Sequence, residues 1–278
     1  MPFGKNTGGF LNYYVHDMNP ILLQIGSVRV AWYGIMYLIS FVIAIFFVKR
    51  NFQKKAVKLA AEDYENYMFY LLLGVIIGGR LGYILFYGLS HYISNPLNIF
   101  KVWEGGMSFH GGMLGCVTAG LLFCRKYKYN FYTLADPAMP FVALGLGFGR
   151  IGNFINGELW GKVTTVPWAV IFPNGGYLPR HPSQLYEALL EGFLMAIFLQ
   201  IVLLKTKLKG LVFWLFIGTY GVVRFLLEFI RVPDENVDIY DSGLIWNAFT
   251  MGQVLSLFMI VACLCFFALL FFKYRRAK

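Results

Sequence analysis

The chain has 278 residues and a net charge of +10, and it is 58% apolar but only 14% charged. Soluble domains average about 45–50% apolar and about 25% charged residues, so this composition excludes a soluble globule, a disordered chain and a disulfide scaffold. We interpret the chain as a polytopic membrane protein. Its positive charge then reflects basic cytoplasmic loops, and we expect no nucleic-acid partner.

Seven apolar segments are long enough to cross a bilayer, whose hydrocarbon core is about 30 Å thick. In chain order they are residues 28–48, 64–88, 107–124, 137–156, 183–204, 211–230 and 248–272. They predict an all-α polytopic membrane protein with seven transmembrane helices, in which residues 1–278 form a single integral membrane domain. An odd number of spans places the two termini on opposite sides of the membrane.

The basic residues predict which side is which. Fifteen of the 24 Lys and Arg residues follow the first, third, fifth and seventh spans, in groups that begin at Lys49, Arg125, Lys205 and Lys273. Loops rich in Lys and Arg stay in the cytoplasm. The pattern therefore predicts an N-terminus outside and a C-terminus inside the cell.

The outer connections are longer and rich in Pro, Gly, Asn and aromatic residues. They comprise residues 90–106, 161–182 and 232–247, and we expect them to form a small outer cap. Within the second, the apolar run 166–173 followed by Asn-Gly-Gly predicts a short strand or hairpin.

Two helix starts are also predicted. Asp136 before Pro137 is typical of an N-cap followed by Pro at the first helical position, and Ser183 is a candidate N-cap for the fifth span.

Three arginines, Arg80, Arg150 and Arg224, lie inside the second, fourth and sixth spans. Each arginine at the bilayer centre costs about 2.5–3.5 kcal/mol, so a chain that carries three of them is expected to use them. At 1.5 Å per residue all three lie roughly 20–24 Å above the inner boundary of the core, in the outer leaflet. Tyr33 on the first span and His110 on the third fall at a similar height.

Other polar residues accompany these arginines along their helices. On the sixth span the polar stripe comprises Tyr220, Arg224, Glu228 and Arg231, and on the fourth span the shared face comprises Arg150, Asn153 and Gly157, with Glu158 at its edge. Because Arg grips phosphate through two parallel hydrogen bonds, the expected ligand is a phospholipid head group. The alternative is that Arg224–Glu228 and Arg150–Glu158 are only internal pairs that hold the bundle together.

His110 opens the third span, where a histidine is commonly structural, but beside an arginine cluster it is a candidate base or phosphate ligand. Gln184 and Glu187, in the first turns of the fifth span, are candidates to face the same cluster.

The sequence contains no HExxH, P-loop or GxSxG motif and no carboxylate cluster for a metal. Its four cysteines lie in apolar stretches without metal-ligand spacing. We therefore expect no metal and no cofactor.

These motifs closely resemble those of the prolipoprotein diacylglyceryl transferases of bacteria. The run Gly149-Arg-Ile-Gly-Asn-Phe-Ile-Asn-Gly-Glu-Leu-Trp-Gly161 is similar to that family's signature almost residue for residue. The other matching motifs, in the family's order, are Trp32-Tyr33-Gly34, Gly79-Arg80-Leu81-Gly82, His110-Gly111-Gly112, His181-Pro-Ser-Gln-Leu-Tyr-Glu187 and Tyr220-x3-Arg224-Phe-x2-Glu228-Phe-x-Arg231. The resemblance covers essentially the whole chain and implies a seven-helix bundle with a periplasmic head.

The resemblance also implies a reaction, in which the sn-1,2-diacylglyceryl group of phosphatidylglycerol moves to the lipobox cysteine of a preprolipoprotein. Arg150 and Arg224 would hold the leaving phosphate, and either His110 or a glutamate-linked network would take the thiol proton. The expected substrate-binding residues are Tyr33, Arg80, Asn153, Gly157, Glu158, Gly161, Glu187, Tyr220, Glu228 and Arg231.

The expected partners are phosphatidylglycerol, preprolipoprotein signal peptides with a lipobox cysteine, and membrane lipids. We expect a monomer in the bacterial cytoplasmic (inner) membrane, with its active site toward the periplasmic leaflet. The alternative function is a phospholipid or anion transporter that uses the buried arginines. Such a transporter is expected to show repeats or broken helices in corresponding halves of its sequence, and none is evident.

Overall fold

The computed structural model describes residues 13–26, 28–101, 106–232 and 249–276, most of which are helical. The α-helices are α1 (Trp32–Lys54), α2 (Ala61–Tyr83), α3 (Leu89–Ser94), α4 (Phe109–Tyr127), α5 (Phe131–Asn156), α6 (Ser183–Glu187), α7 (Met195–Lys205), α8 (Leu211–Leu227) and α9 (Met251–Arg276). A π-helical segment, Ile84–Gly88, joins α2 to α3, and another, Ala188–Leu194, joins α6 to α7. Two short 3₁₀ turns lie at Pro96–Phe100 and Pro173–Gly175.

Each of the seven predicted spans contains a helix. By length and composition, four helices of the described residues can cross a membrane: Trp32–Lys54, Phe131–Asn156, Ser183–Lys205 and Met251–Lys273. The helix Leu211–Leu227 is apolar but shorter. The membrane class is therefore confirmed, whereas the count of seven spans and the side on which each terminus lies stay predictions.

Large apolar side chains are exposed along these helices. Phe46 on α1 is 69% exposed, and Phe258 and Leu269 on α9 are 68% and 70% exposed. Many exposed large apolar side chains are unusual on a soluble monomer but are expected on helices that face lipid.

The chain divides into two compact units, the first formed by Met1–Val48 with Ala138–Lys278 and the second by Lys49–Pro137. In the first unit α5, α7 and α8 pack around a core that includes Leu199, Leu203 and Val212, each at most 1% exposed. The α5 and α6–α7 helices approach closely where Gly147 lies against Gly192. Glycine permits such backbone contact between helices, which favours association in lipid.

A small sheet forms part of the first unit outside its helices. Strand β1 (Tyr14–Val15) pairs in parallel with β4 (Val170–Ile171), which pairs antiparallel with β5 (Pro179–Arg180). A separate antiparallel hairpin, β2 (Ile21–Ile25) and β3 (Val28–Ala31), precedes α1. The strand predicted within residues 166–173 is confirmed by β4. Of the predicted outer connection 232–247, all but residue 232 lies outside the described residues.

Two predicted N-caps are wrong. Helix α5 begins at Phe131, so Asp136 and Pro137 lie inside it, and the Asn130 side chain accepts the backbone N–H of Thr133 at 3.2 Å instead. Ser183 is the first residue of α6 rather than its cap, and its hydroxyl donates to the Leu159 carbonyl at 3.0 Å. An earlier local cap therefore precedes Asp136, and the Ser183 hydroxyl bonds to a distant backbone carbonyl instead of capping its own helix.

In the second unit α2 and α4 pack through glycines. A Cβ atom added to Gly82 would lie 2.7 Å from the Gly111 Cα atom, and one added to Gly78 would lie 2.7 Å from the Gly115 Cα atom. The two backbones are therefore in direct contact. Helix α4 begins after Ser108, whose hydroxyl accepts the Gly111 backbone N–H at 3.2 Å.

Candidate functional site

Buried arginines and glutamates meet within the first unit. They come from α5, from the α6–α7 helix with its π-helical segment, and from α8 with the turn that follows it. We call this set the arginine–glutamate cluster, and its members are Arg150, Glu187, Glu191, Arg224, Glu228 and Arg231. The chain thus brings together, at one place, charges that are far apart in sequence.

Glu187 lies at the centre of the cluster and contacts all three arginines. Its Oε2 atom lies 2.7 Å from Arg150 Nε and 3.2 Å from Arg224 Nη1. Its Oε1 atom accepts from Arg231 Nη1 at 3.2 Å. The Glu187 side chain is fully buried, and a buried carboxylate is tolerated when cations and hydrogen bonds surround it in this way.

Glu228 ties the cluster to α9. It pairs with Arg224, one helical turn earlier, through Arg224 Nη2, and its Oε1 atom lies 3.8 Å from Arg231 Nε. The hydroxyl of Thr250, directly before α9, donates to Glu228 Oε2 at 3.0 Å. The predicted Arg224–Glu228 pair is confirmed, but the alternative pair of Arg150 with Glu158 is not the one that forms, since Arg150 contacts Glu187 and Glu191.

The three arginines differ in how far they reach the surface. The side chains of Arg150 and Arg224 are 19% and 13% exposed, whereas that of Arg231 is 4% exposed. Arg150 and Arg224 therefore keep part of their surface accessible, whereas Arg231 is enclosed beside Glu187.

The end of α5 folds Glu158 back onto the helix. Gly157 has a φ of +64°, a left-handed conformation that glycine adopts without strain. The backbone N–H groups of Gly157 and Glu158 donate to the carbonyls of Phe154 and Asn153, at 2.9 and 3.2 Å, which is the Schellman arrangement. Because the chain reverses here, the Glu158 carboxylate accepts from both Asn153 Nδ2, at 2.8 Å, and Asn156 Nδ2, at 3.1 Å.

Two of the predicted tyrosines lie beside the helices that carry the arginines. The Tyr33 ring packs against Gly152, between Arg150 and Asn153 along α5, and its hydroxyl is 3.1 Å from that of Tyr37. Tyr220, one turn before Arg224 on α8, stacks on Phe216 and packs against the core of the first unit. Glycine at position 152 is needed because a Cβ atom there would lie 2.7 Å from the Tyr33 ring.

Gly161 has a backbone role. Its N–H donates to the His181 carbonyl at 2.9 Å, and the next N–H, of Lys162, donates to Ile230 O at 2.8 Å. A Cβ atom on Gly161 would lie 2.7 Å from both His181 Cβ and Ile230 O. These bonds join the small sheet to the segment that carries Arg231.

Burial lowers the pKa of His181, so this histidine is uncharged at neutral pH.

Arg80 belongs to the second unit, and backbone carbonyls surround its guanidinium group. Its Nε and Nη atoms donate to the carbonyls of Asn98, Ile99, Lys101 and Gly106 at 2.6–3.2 Å. The ring of Tyr92 covers the guanidinium at 5.1 Å. Arg80 therefore binds residues 98–101 and Gly106, which precedes α4. His110, also in the second unit, lies in the first turn of α4, as its sequence context predicts.

Sequence reasoning missed three residues of the site. Glu191 lies four residues after Glu187 in an apolar helix, a spacing that could have marked it, and Thr250 and Asn156 carry no sequence signal for their contacts. Gln184 does not belong to the cluster, since its amide donates to the backbone carbonyl of Glu158. Among the described residues, no group of three or more His, Cys, Asp or Glu side chains is placed to hold a metal ion.

Comparisons with known proteins agree on one family. Its family model, described as prolipoprotein diacylglyceryl transferase, matches residues 20–269. Similar relatives, each named phosphatidylglycerol–prolipoprotein diacylglyceryl transferase, include one from Geobacter sulfurreducens that is 51% identical over 239 residues, which are 86% of this chain and 90% of the relative. The Vibrio parahaemolyticus relative is 47% identical over 253 residues, 91% of this chain and 90% of its own. The Aeromonas salmonicida relative is 46% identical over 251 residues, 90% of both chains.

Proposed function

The chain belongs to the prolipoprotein diacylglyceryl transferase family, and we propose that it uses the arginine–glutamate cluster to transfer the diacylglyceryl group of phosphatidylglycerol to the lipobox cysteine of a preprolipoprotein. This transfer is the first step of bacterial lipoprotein maturation. The observation that carries the proposed site is the pair of partly exposed arginines, Arg150 and Arg224, anchored on one fully buried glutamate, Glu187.

The reaction forms one bond and breaks one. The sulfur of the lipobox cysteine attacks the glycerol carbon that carries the phosphate, and the carbon–oxygen bond to phosphate breaks. A thioether and glycerol 1-phosphate result, and the thiol proton leaves with a base or with the phosphate product. The thiolate is the reactive form because a thiol is a poor nucleophile.

Arg150 and Arg224 are proposed to hold the leaving phosphate. Glu187 fixes both guanidinium groups before the substrate arrives, so no energy is needed to orient them during the reaction. A planar guanidinium offers two parallel donors to phosphate oxygens. In a site from which water is excluded these hydrogen bonds stabilise the growing negative charge of the leaving group more strongly than in solution.

The other residues are proposed to bind and position the substrates. Asn153 lies three residues after Arg150 on α5, and the turn at Gly157 folds Glu158 back onto Asn153, so these two residues are proposed to offer donors and acceptors to the glycerol head group. Tyr33 and Tyr220 line the site. His110 or a glutamate-linked network is proposed to take the thiol proton. The nucleophile is the substrate's own cysteine, which agrees with the apolar surroundings of the chain's free cysteines.

The location follows from the membrane class and the basic loops. We propose a monomer in the cytoplasmic (inner) membrane of a bacterium, with seven spans, the N-terminus outside and the C-terminus inside. The small sheet β1–β4–β5 then forms part of a periplasmic cap, and the cluster lies toward the periplasmic leaflet, where secreted preprolipoproteins and phosphatidylglycerol meet.

Mass analysis of a lipobox peptide tests the proposed function. The purified protein in detergent is incubated with the peptide and phosphatidylglycerol, and we expect the peptide mass to rise by one diacylglyceryl group while glycerol phosphate appears. A peptide with Ala in place of the lipobox Cys is the matched control and should stay unmodified. If phosphatidylglycerol moves between vesicles in a reconstituted system while the peptide mass stays the same, the transporter alternative replaces the enzyme.

A further inference from the structure

Glu191 is a buried carboxyl group for which the proposed chemistry has no use. It lies in the π-helical segment one turn after Glu187, and its side chain is fully buried. Within the described part of the chain neither of its oxygens accepts a hydrogen bond, and its ion pair with Arg150 is long, at 3.9 Å from Nη2 to Oε2.

The other two glutamates of the cluster have the ion-pair and hydrogen-bond partners that a buried, ionised carboxylate needs. Glu187 contacts three guanidinium groups, and Glu228 receives the hydroxyl of Thr250 as well as two arginines. An ionised carboxylate that is buried without hydrogen bonds is strongly unfavourable, whereas the protonated form loses far less hydration. The geometry therefore favours a proton on Glu191.

The charge of the whole cluster depends on that proton. Its three guanidinium groups are always charged. If all three glutamates are ionised, the charges cancel and no excess positive charge meets an anion. If Glu191 is neutral, the cluster carries one positive charge in excess.

We infer that Glu191 is protonated in the substrate-free protein and thereby sets the charge of the cluster at +1, which matches the single negative charge of the phosphodiester in phosphatidylglycerol. The inference rests on the proposed function and deepens it. Glu191 is then a positioning residue, which acts through the arginines rather than on the substrate.

The described residues around Glu191 include no better candidate for this titration. The groups that face it are Glu187 on its own helix, Arg150 on α5, Tyr220 and Arg224 on α8, and Arg231 beyond α8. The arginines do not titrate, and Glu187 is held by three cations. Tyr220 is present in the wild type and in any Glu191 variant alike, so an effect of its ionisation would appear in all of them. Glu191 is thus the group whose protonation can change the charge of the cluster.

The sign of the pH dependence follows from this assignment. When the pH rises far enough to ionise Glu191, the cluster loses its excess charge and should bind phosphatidylglycerol less tightly. A like charge added within about 8 Å of an anion, in surroundings with an effective dielectric constant near 20, weakens binding by about tenfold or more. Buried glutamates are known to hold their proton up to about pH 8–9, so the range from pH 7 to about 10 covers the transition.

The experiment measures the Kd of phosphatidylglycerol for the full-length protein in detergent, without peptide, from pH 7 to about 10. The wild-type Kd should rise about tenfold or more over this range. Glu191→Gln, which copies the protonated form, should show no such rise. Glu191→Met, also neutral and of similar volume, serves the same purpose if the Gln variant folds poorly.

Infrared spectroscopy provides a readout that does not depend on binding. The wild-type protein at pH 7 should show a carbonyl band of a protonated carboxylic acid that disappears in Glu191→Gln. Absence of this band, or the same Kd profile in the wild type and both variants, would overturn the inference. Tighter binding by the Gln variant at pH 7 would also overturn it, because it would mean that Glu191 is already ionised. Peptide modification by the wild type at pH 7 is followed separately, so failure of the charge inference is distinguished from failure of the proposed transfer.

Discussion

At the scale of single residues, the planar shape of the arginine side chain is central to the proposed chemistry. Lysine in place of Arg150 or Arg224 keeps the charge but offers no planar pair of donors to phosphate. We expect Arg150→Lys and Arg224→Lys each to lower the turnover of diacylglyceryl transfer by about 10²–10³-fold, the range for loss of one preorganised donor to a developing anion. The melting temperature should change little, because lysine can still reach Glu187 or Glu228. Transfer to a lipobox peptide and melting temperature are measured on the same detergent samples.

Arg180→Lys is the matched control for these two variants. Arg180 is also partly buried, but it donates to backbone carbonyls rather than to the cluster: Nε and Nη2 to Gly175, and Nη1 to Gly161 at 3.4 Å. Its replacement should affect melting temperature more than turnover. Near-normal turnover in both Arg150→Lys and Arg224→Lys would remove these arginines from the chemistry and leave them a role in packing alone.

The residue contacts also show how far sequence spacing can predict a site. The Arg224–Glu228 pair follows from helical periodicity alone, and so does the polar stripe on α8. The central place of Glu187 does not, because it depends on how α5, α6 and α8 pack, and spacing along one helix carries no such information. The four-residue spacing could have marked Glu191 as a neighbour of Glu187, but the π-helical segment changes the helical phase, so the direction of Glu191 relative to Glu187 does not follow from an α-helical repeat.

At the scale of elements, the turn that ends α5 positions Glu158. Gly157→Ala forces a side chain into the left-handed region, which costs about 1–2 kcal/mol, and its Cβ would lie 3.1 Å from the His16 ring. We expect a lower melting temperature and a lower rate of transfer, because Glu158 no longer folds back onto Asn153. Both quantities are measured on purified protein.

Gly176→Ala separates backbone strain from the function of this turn. Gly176 has a φ of +93° and lies in the cap with no atom near its missing Cβ, so alanine strains the backbone without a contact near the cluster. We expect its melting temperature to fall while transfer persists. An equal loss of transfer in the two variants would show that the position of Glu158 is irrelevant.

The close packing of α2 against α4 through glycines is the second feature at the scale of elements. A Cβ atom on Gly115 would overlap the Gly74 carbonyl, whereas one on Gly120 of the same helix would make ordinary contact, 3.6 Å from Leu71 Cδ2. Gly115→Ala should therefore destabilise the protein by about 1–3 kcal/mol or more, the usual cost of overpacking. Gly120→Ala should match or exceed the wild-type melting temperature, because alanine favours a helix over glycine by about 0.5–1 kcal/mol. Equal melting temperatures for the two variants would contradict the close contact.

At the scale of the whole molecule, composition and hydropathy predict the membrane class and the positions of the helices, because lipid requires long apolar segments whatever the tertiary packing. The wrong N-caps of α5 and α6 have a different cause. Asp136 and Ser183 satisfy a local capping pattern, but the chain has Asn130 available earlier for α5 and gives the Ser183 hydroxyl a partner in Leu159. Capping is worth about 1 kcal/mol, which tertiary contacts readily exceed.

Orientation in the membrane is tested on the helix Ser183–Lys205, whose 23 residues span roughly 34 Å at 1.5 Å per residue and so exceed the hydrocarbon core. Single cysteines replace Tyr177, which is 88% exposed, and Lys207, also exposed, in a variant without the native cysteines. Because Lys205, Lys207 and Lys209 form a basic loop, we expect the Tyr177 position to react with an impermeant thiol reagent in intact spheroplasts. The Lys207 position should react only after the membrane is permeabilised. The reverse pattern would mean that the protein has the opposite orientation in the membrane. The cluster would then lie toward the cytoplasmic leaflet, where a secreted preprolipoprotein could not reach it. Labelling of both positions in intact cells would mean that this helix does not cross the membrane.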